Sequence, residues 1–190
     1  MSGAKMMPPG FAGTVGAGVC GMVILRLCKA ALVAGVAFFF LTVALDNLTD
    51  YGSNFQFVQH VLSMDDTFPG NAEMWRALPY PVVYHLFYAT IILTETTCAL
   101  TCGYGAYRLF KARNASAQLF YEAKVAGTVG ITISLLLWLV AFLVIGGEWF
   151  LMWQSSHWNG QGAAFRMFSV DGLVLVFLWQ NDEKPEAGRP

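Results

Sequence analysis

Long apolar stretches in this chain alternate with connectors whose charge changes sign each time the chain would cross a bilayer. That alternation constrains the fold more than any short motif does. Residues 1–29 carry Lys5, Arg26 and Lys29 and no acid, whereas 46–81 carry Asp46, Asp50, Asp65, Asp66 and Glu73 against Arg76. Positive charge returns in 108–124, with Arg108, Lys111, Arg113 and Lys124 against Glu122, and 148–166 balances Glu148 with Arg166. Cytoplasmic flanks of membrane spans are enriched in Lys and Arg. The expectation is therefore four spans, with the N-terminus, the middle connector and the C-terminus cytoplasmic. A composition 56% hydrophobic and 12% charged agrees, the charged share being about half that of a soluble domain.

The clearest span is 125–147, uncharged throughout and, as a helix, roughly 35 Å long. Residues 82–107 follow Pro81, which suits a first helical turn, and contain one acid, Glu95. Residues 30–45 are extended by Leu27 and Cys28, with Arg26 and Lys29 expected to snorkel to the interface. Residues 163–179, interrupted by Asp171, are read as a tilted or partly re-entrant span. The small-residue pairs Ala31/Gly35, Ala99/Gly103 and Ala126/Gly130 are expected to let helices approach closely. Residues 1–21, rich in glycine and holding Pro8-Pro9, predict a loose cytoplasmic extension, with Met22 a candidate start. The single four-span domain is 22–181, and 182–190 forms a cytoplasmic tail.

The connector 46–81 is more than a loop. Over 53–64, Gln56, Gln59, His60 and Ser63 recur at helical spacing opposite Phe57, Val58, Val61 and Leu62, which predicts an amphipathic helix. Ser53 and Gln56 match a capping box, and Asp65, Asp66 and Pro69-Gly70 supply the stop. This helix should lie along the outer surface or cap the bundle. The fold class is thus all-α: a four-helix transmembrane bundle with an amphipathic outer cap helix.

The stretch LTDYGSNFQFVQHVLSMD, residues 48–65, resembles a family of bacterial small integral membrane proteins of unknown function. The resemblance runs from about Met22 to Trp179. It takes in Trp75-Arg76, the span around Glu95, Gly147-Glu148-Trp149, Trp158-Asn159-Gly160-Gln161 and Phe165-Arg166. It implies a bacterial inner membrane location and no particular activity.

Among chemistry-bearing residues, the intramembrane acids Glu95 and Asp171 stand out, since a carboxyl in hydrocarbon is costly unless protonated or buried with partners. Thr94, Thr97, Thr101, Thr128 and Ser134 are the expected hydrogen-bond partners. The acids are read as helix staples, as a proton or cation path, or as ligand-binding groups. Cap residues Gln56, Gln59, His60, Trp75, Arg76, Trp149, Trp153 and Trp158 form a candidate partner-facing surface. His60, Asp65, Asp66, Glu73, His85, Glu148 and His157 lack metal-ligand spacing, and Cys98 and Cys102 at i, i+4 read as buried thiols. Neither metal nor other cofactor is expected. The four cysteines fall toward the reducing side, so no disulfide is expected either. Asn47-Leu48-Thr49 and Asn114-Ala115-Ser116 match glycosylation sequons weakly, and Asn54–Asp65 faintly echoes Asn159–Asp171. No basic patch with interleaved aromatics points to nucleic acid, and no nucleophile motif points to an enzyme. The leading function is an accessory or interaction protein with the bilayer and a membrane protein as partners; the alternative is proton-linked transport of a small solute.

Reporter fusions should read outside at Asn71 and after Trp158, and inside at Ser116 and the C-terminus. A cytoplasmic Asn71 would overturn the charge-based topology.

Overall fold

The computed structural model describes residues 11–182, with side chains from Cys20 onward. Lys5, Pro8-Pro9 and residues 183–190 lie outside the described residues. Among the described residues there are five long helices: α1 (Phe11–Thr49), α2 (Tyr51–Ser63), α3 (Pro81–Ala112), α4 (Ala117–Leu136, continued as a π-helix over Leu137–Trp149) and α5 (Gln161–Trp179). Four segments are long and apolar enough to cross a membrane: Cys20–Thr49, Pro81–Ala112, Ala117–Trp149 and Gln161–Trp179. The described residues form an all-α membrane bundle.

The starts of α3 and α4 have local causes. Pro81 occupies the first turn of α3, as its missing N–H predicts. Ser116 caps α4, its hydroxyl accepting from the Leu119 N–H at 3.4 Å. In the π-helical stretch the bonds lengthen by one residue, so that the Phe150 N–H reaches the Ile145 carbonyl at 3.0 Å. The fourth span, interrupted in sequence by Asp171, is a continuous helix, α5. It buries Ala164, Asp171, Val174 and Leu178 along one face.

Two expectations about helix starts are corrected. Residues 11–21 belong to the backbone of α1 rather than to a loose extension, because lengthening an existing helix requires no new nucleus. The cap helix α2 starts at Tyr51, ahead of the proposed capping box. Ser53 Oγ donates to the Asp50 carboxylate at 2.6 Å, so its hydroxyl serves the side chain of the preceding bend. At its far end Met64 takes the left-handed conformation (φ 56°), and Gly70 (φ 77°) makes the next turn.

The amphipathic reading of α2 decides where it sits. Val58, Val61 and Leu62 are buried in a cluster with Tyr84, Tyr88 and Ile92 of α3 and with Phe150 and Met152 of the second connector. The helix thus covers the bundle. A separate core joins α1, α3, α4 and α5 around Val33, Phe40, Cys98, Cys102, Ile131 and Leu178.

Small residues set the closest approach, though at only some of the expected positions. A Cβ at Gly105 would stand 2.4 Å from the Gly127 nitrogen, and one at Gly130 would stand 2.5 Å from Cys102 Sγ. Gly103 faces Ala37 at 3.9 Å, while Gly35 has nothing within 4 Å. Ala31 and Gly35 face outward, so that pair packs no helix of this chain.

These contacts predict that Gly105→Ala destabilises the bundle by about 1–3 kcal/mol through overpacking, whereas Gly35→Ala is neutral or slightly stabilising. Thermal unfolding in detergent measures both, and equal tolerance at the two glycines would contradict the α3–α4 packing.

Candidate functional site

The buried face of α1 reads Arg26, Lys29, Val33, Val36, Phe40, Ala44 and Asn47: polar at both ends and apolar between. Each polar end organises a cluster. A third lies between α4 and α5, and a fourth knits the cap.

Asn47 is the centre of the first cluster. Its Nδ2 donates to Glu95 Oε2 at 2.7 Å, while its Oδ1 accepts from Asn54 Nδ2 at 2.6 Å and from the Tyr88 hydroxyl at 3.1 Å. Asn47 and Glu95 are each 3% exposed and Tyr88 is 1% exposed. Glu95 is central in α3 by count, yet its partner is in the last turn of α1, where Asp46 and Asp50 are exposed. Exposed carboxylates avoid hydrocarbon. Glu95 thus lies level with the last turn of α1.

Asp171, fully buried, accepts from the equally buried Ser134 hydroxyl. Its other oxygen has no protein partner, and neither does the buried indole N–H of Trp138, one turn along α4 from Ser134. Of the expected partners, only Ser134 bonds an acid. Thr94, Thr97 and Thr101 donate to carbonyls of their own helix at 2.8, 2.8 and 2.6 Å. Thr128 donates to the Lys124 carbonyl and accepts from the Trp179 indole. Intrahelical bonding is the shorter-range solution for a threonine in an apolar helix.

The opposite end of the bundle holds a buried ionic clamp. Asp182 pairs with Lys29 and, at 2.8 Å, with Lys124; Lys29 also donates to the Gln180 carbonyl at 2.5 Å. Arg26 donates to the Ala115 carbonyl at 2.7 Å, its guanidinium 4.5 Å from the Phe120 ring centre. Arg26 and Lys29 were expected to snorkel to the interface. They are instead buried, because acceptors from the α3–α4 turn and from the chain after α5 come to them. Asp182, read as the first tail residue, closes the bundle.

In the cap, the two connectors fasten to each other. Asp66 accepts from Ser155 Oγ at 2.5 Å and from the His157 backbone N–H at 3.2 Å. The Ser155 hydroxyl chiefly, helped by His157, holds the Asp66 carboxyl below its ordinary value of 3.8. This contribution is present above that value and is lost as pH falls through the lowered one. Gln154 Oε1 accepts from the Phe68 N–H at 3.0 Å.

The eight cap candidates divide by exposure. His60 stacks on Trp158 at 4.4 Å and contacts Asp65 at 2.9 Å, so these two rings brace the cap from within. Gln59 is half-buried and Gln56 exposed. Arg76 stands 5.3 Å from the Trp75 ring and 4.9 Å from that of Trp149, bonded to Glu73 at 2.7 Å. Trp75 is 69% exposed, and Trp149 and Trp153 are about half exposed.

Among the described residues no three His, Cys, Asp or Glu side chains are grouped to hold a metal ion. His85 contacts the Tyr51 hydroxyl at 2.8 Å and stacks on Phe55. Asn47 is buried in its hydrogen-bond cluster, so that sequon is not an accessible acceptor. Asn47, read in the sequence only as part of a sequon, continues the buried stripe Val33-Phe40-Ala44 on α1, whereas Asp182, absent from the sequence-based site candidates, lies past the extended Gln180 that ends α5.

Glu95→Gln should fold normally, because the amide oxygen can accept from Asn47 as the carboxyl does. Glu95→Leu leaves the Asn47 amide unpaired and should cost about 1 kcal/mol and at most about 2, read by unfolding in detergent. Equal stability of the Gln and Leu proteins would mean that this hydrogen bond contributes nothing.

Comparison with known proteins adds the family. No curated protein and no solved structure matches the chain. Residues 25–181, nearly the whole bundle and cap, match the family described as Predicted small integral membrane protein (DUF2165), so the chain belongs to that family of integral membrane proteins.

Proposed function

We propose that the protein is a non-enzymatic accessory or interaction protein, whose cap presents Trp75, Arg76, Trp149 and Trp153 to a membrane-protein partner. The observation that carries this reading is the mounting of the aromatic patch. Trp75 and Trp149 meet edge to face at 5.9 Å with Arg76 against both rings, yet both indoles remain exposed. Behind them the cap is held by Asp66–Ser155, Gln154–Phe68 and His60–Trp158. Aromatic and arginine side chains already ordered lose little entropy on binding, and they dominate interface energetics. The charge alternation supports a cap facing outward from a bacterial inner membrane.

One observation favours a second reading, proton-linked transport of a small solute through Glu95 and Asp171. The hydrogen-bonded series Asn54, Asn47, Glu95 leads from an exposed helix face to a buried carboxyl. The folded Glu95→Gln protein separates the readings: transport requires that it lose pH-gradient-driven flux in vesicles, and an interaction role does not.

A photoreactive amino acid at Trp75 or Trp153, illuminated in native membranes, should give one discrete protein adduct. The same group at the exposed Tyr107, near the opposite end, should give only lipid adducts. Lipid adducts alone at all three positions would overturn the partner-facing reading and leave the indoles as interfacial anchors.

A further inference from the structure

We infer that the apolar cleft between the first half of α3 and the π-helical stretch is a binding site for an acyl chain of a membrane phospholipid. This inference is independent of any protein partner of the cap. The cleft has a volume of about 700 Å³, within the range of small-molecule sites. Leu86 and Ile91 of α3 form one wall, Val140 and Ala141 the other, and Val58 and Val61 of α2 help to roof it.

The cleft is built into the fold. Close backbone approach at Gly105–Gly127 and Cys102–Gly130 holds α3 against α4 on one side of it. On the other side no glycine contact joins the two helices, and the branched side chains of Ile91, Ile133 and Val140 line the gap. The roof over this gap distinguishes it from the ordinary grooves between lipid-facing helices.

Its chemistry selects the occupant. The side-chain hydroxyls on its walls belong to Thr90 and Thr94, and each already donates to a carbonyl of its own helix at 2.8 Å. An ion or polar solute would lose hydration here with no replacement. A hydrocarbon chain loses none and gains dispersion contacts with both walls and the roof. The surrounding bilayer supplies such chains. At the cap end the wall residue Phe150 directly follows Trp149, whose ring and carbonyl hold Arg76. Arg76 is the one Lys or Arg in 46–81, and its Nε is buried without a protein partner. Its guanidinium already pairs with Glu73 at 2.7 Å, and a phosphodiester headgroup would be a second anion beside it.

Native mass spectrometry of the full chain in mild detergent tests the site. Delipidated protein is given dioleoyl phosphatidylglycerol, or a neutral isoprenoid alcohol as the competing hydrocarbon. Wild-type protein should retain one phospholipid per chain in preference to the alcohol. Ala141→Phe and Thr90→Phe, which fill the cleft from opposite walls, should each reduce retention about tenfold without lowering the unfolding temperature. Arg76→Gln should weaken phospholipid retention and leave that of the alcohol unchanged. A wild-type chain that retains no phospholipid, or prefers the alcohol, overturns the inference irrespective of how the variants fold. Full retention in either folded filler variant overturns it as well.

Discussion

The Asn47 side chain is the joint on which the arrangement of cap and bundle depends. Its amide donates to Glu95 on α3, and its carbonyl accepts from Asn54 on α2 and from Tyr88 on α3. One residue thereby ties the end of α1, the start of the cap helix and the middle of α3. Such a hub is demanding in an apolar setting, because each group left over carries a desolvation cost with no water to offset it. The same economy sets the direction of the chain after α1. Once Asn47 faces Glu95 and Asn54 faces Asn47, α2 must turn back over α3, and its apolar stripe meets Tyr84, Tyr88 and Ile92.

The opposite end is closed by charge. Two buried lysines from α1 and α4 share the carboxylate of Asp182, while Arg26 takes a backbone carbonyl of the α3–α4 turn. A buried charge without partners is among the most costly features a protein can carry, so the two lysines and Asp182 hold one another in register, and Arg26 is held by the turn. Between the two polar ends, backbone contact of glycines does the packing. Among apolar helices in lipid there is no hydrophobic gain to drive association, and close van der Waals approach takes its place. That packing is strongest over the half of α3 near the ionic clamp. The apolar cleft occupies the other half, beneath the cap.

The spans were legible because the length and charge asymmetry of an apolar run are properties of consecutive residues. The face of α2 was legible for a similar reason: Val58, Val61 and Leu62 recur at the spacing of one helix face. Long-range polar pairing has no such local trace. Glu95 was visible as an isolated acid, but nearby threonines were the obvious partners, and those hydroxyls are satisfied by their own helix. The actual partner lies 48 positions away in the chain. Lys29 and Asp182 are 153 positions apart, and neither residue type names the other. A usable signal existed for Asn47, which extends the apolar face of α1 by one more helical step, but not for Asp182, which lies past the extended Gln180. The capping box failed on a local competition in which Asp50 claims the Ser53 hydroxyl.

Exposure then separates two uses of aromatic residues that composition alone treats as one class. Trp158 is turned inward against His60, and Trp138 packs in the core beside Phe40 and Phe142. Trp75 and Trp149 stand outward with Arg76 between them. An indole at a membrane surface needs only one end apolar and the other wet, and a lone exposed tryptophan would be accounted for as an anchor in the interfacial belt. A pair in edge contact, clasping a guanidinium and supported by cross-connector hydrogen bonds, is more ordered than anchoring requires. That excess of order is the physical ground on which recognition by the cap is proposed. The buried carboxyls below it hold the helices that carry the cap in place.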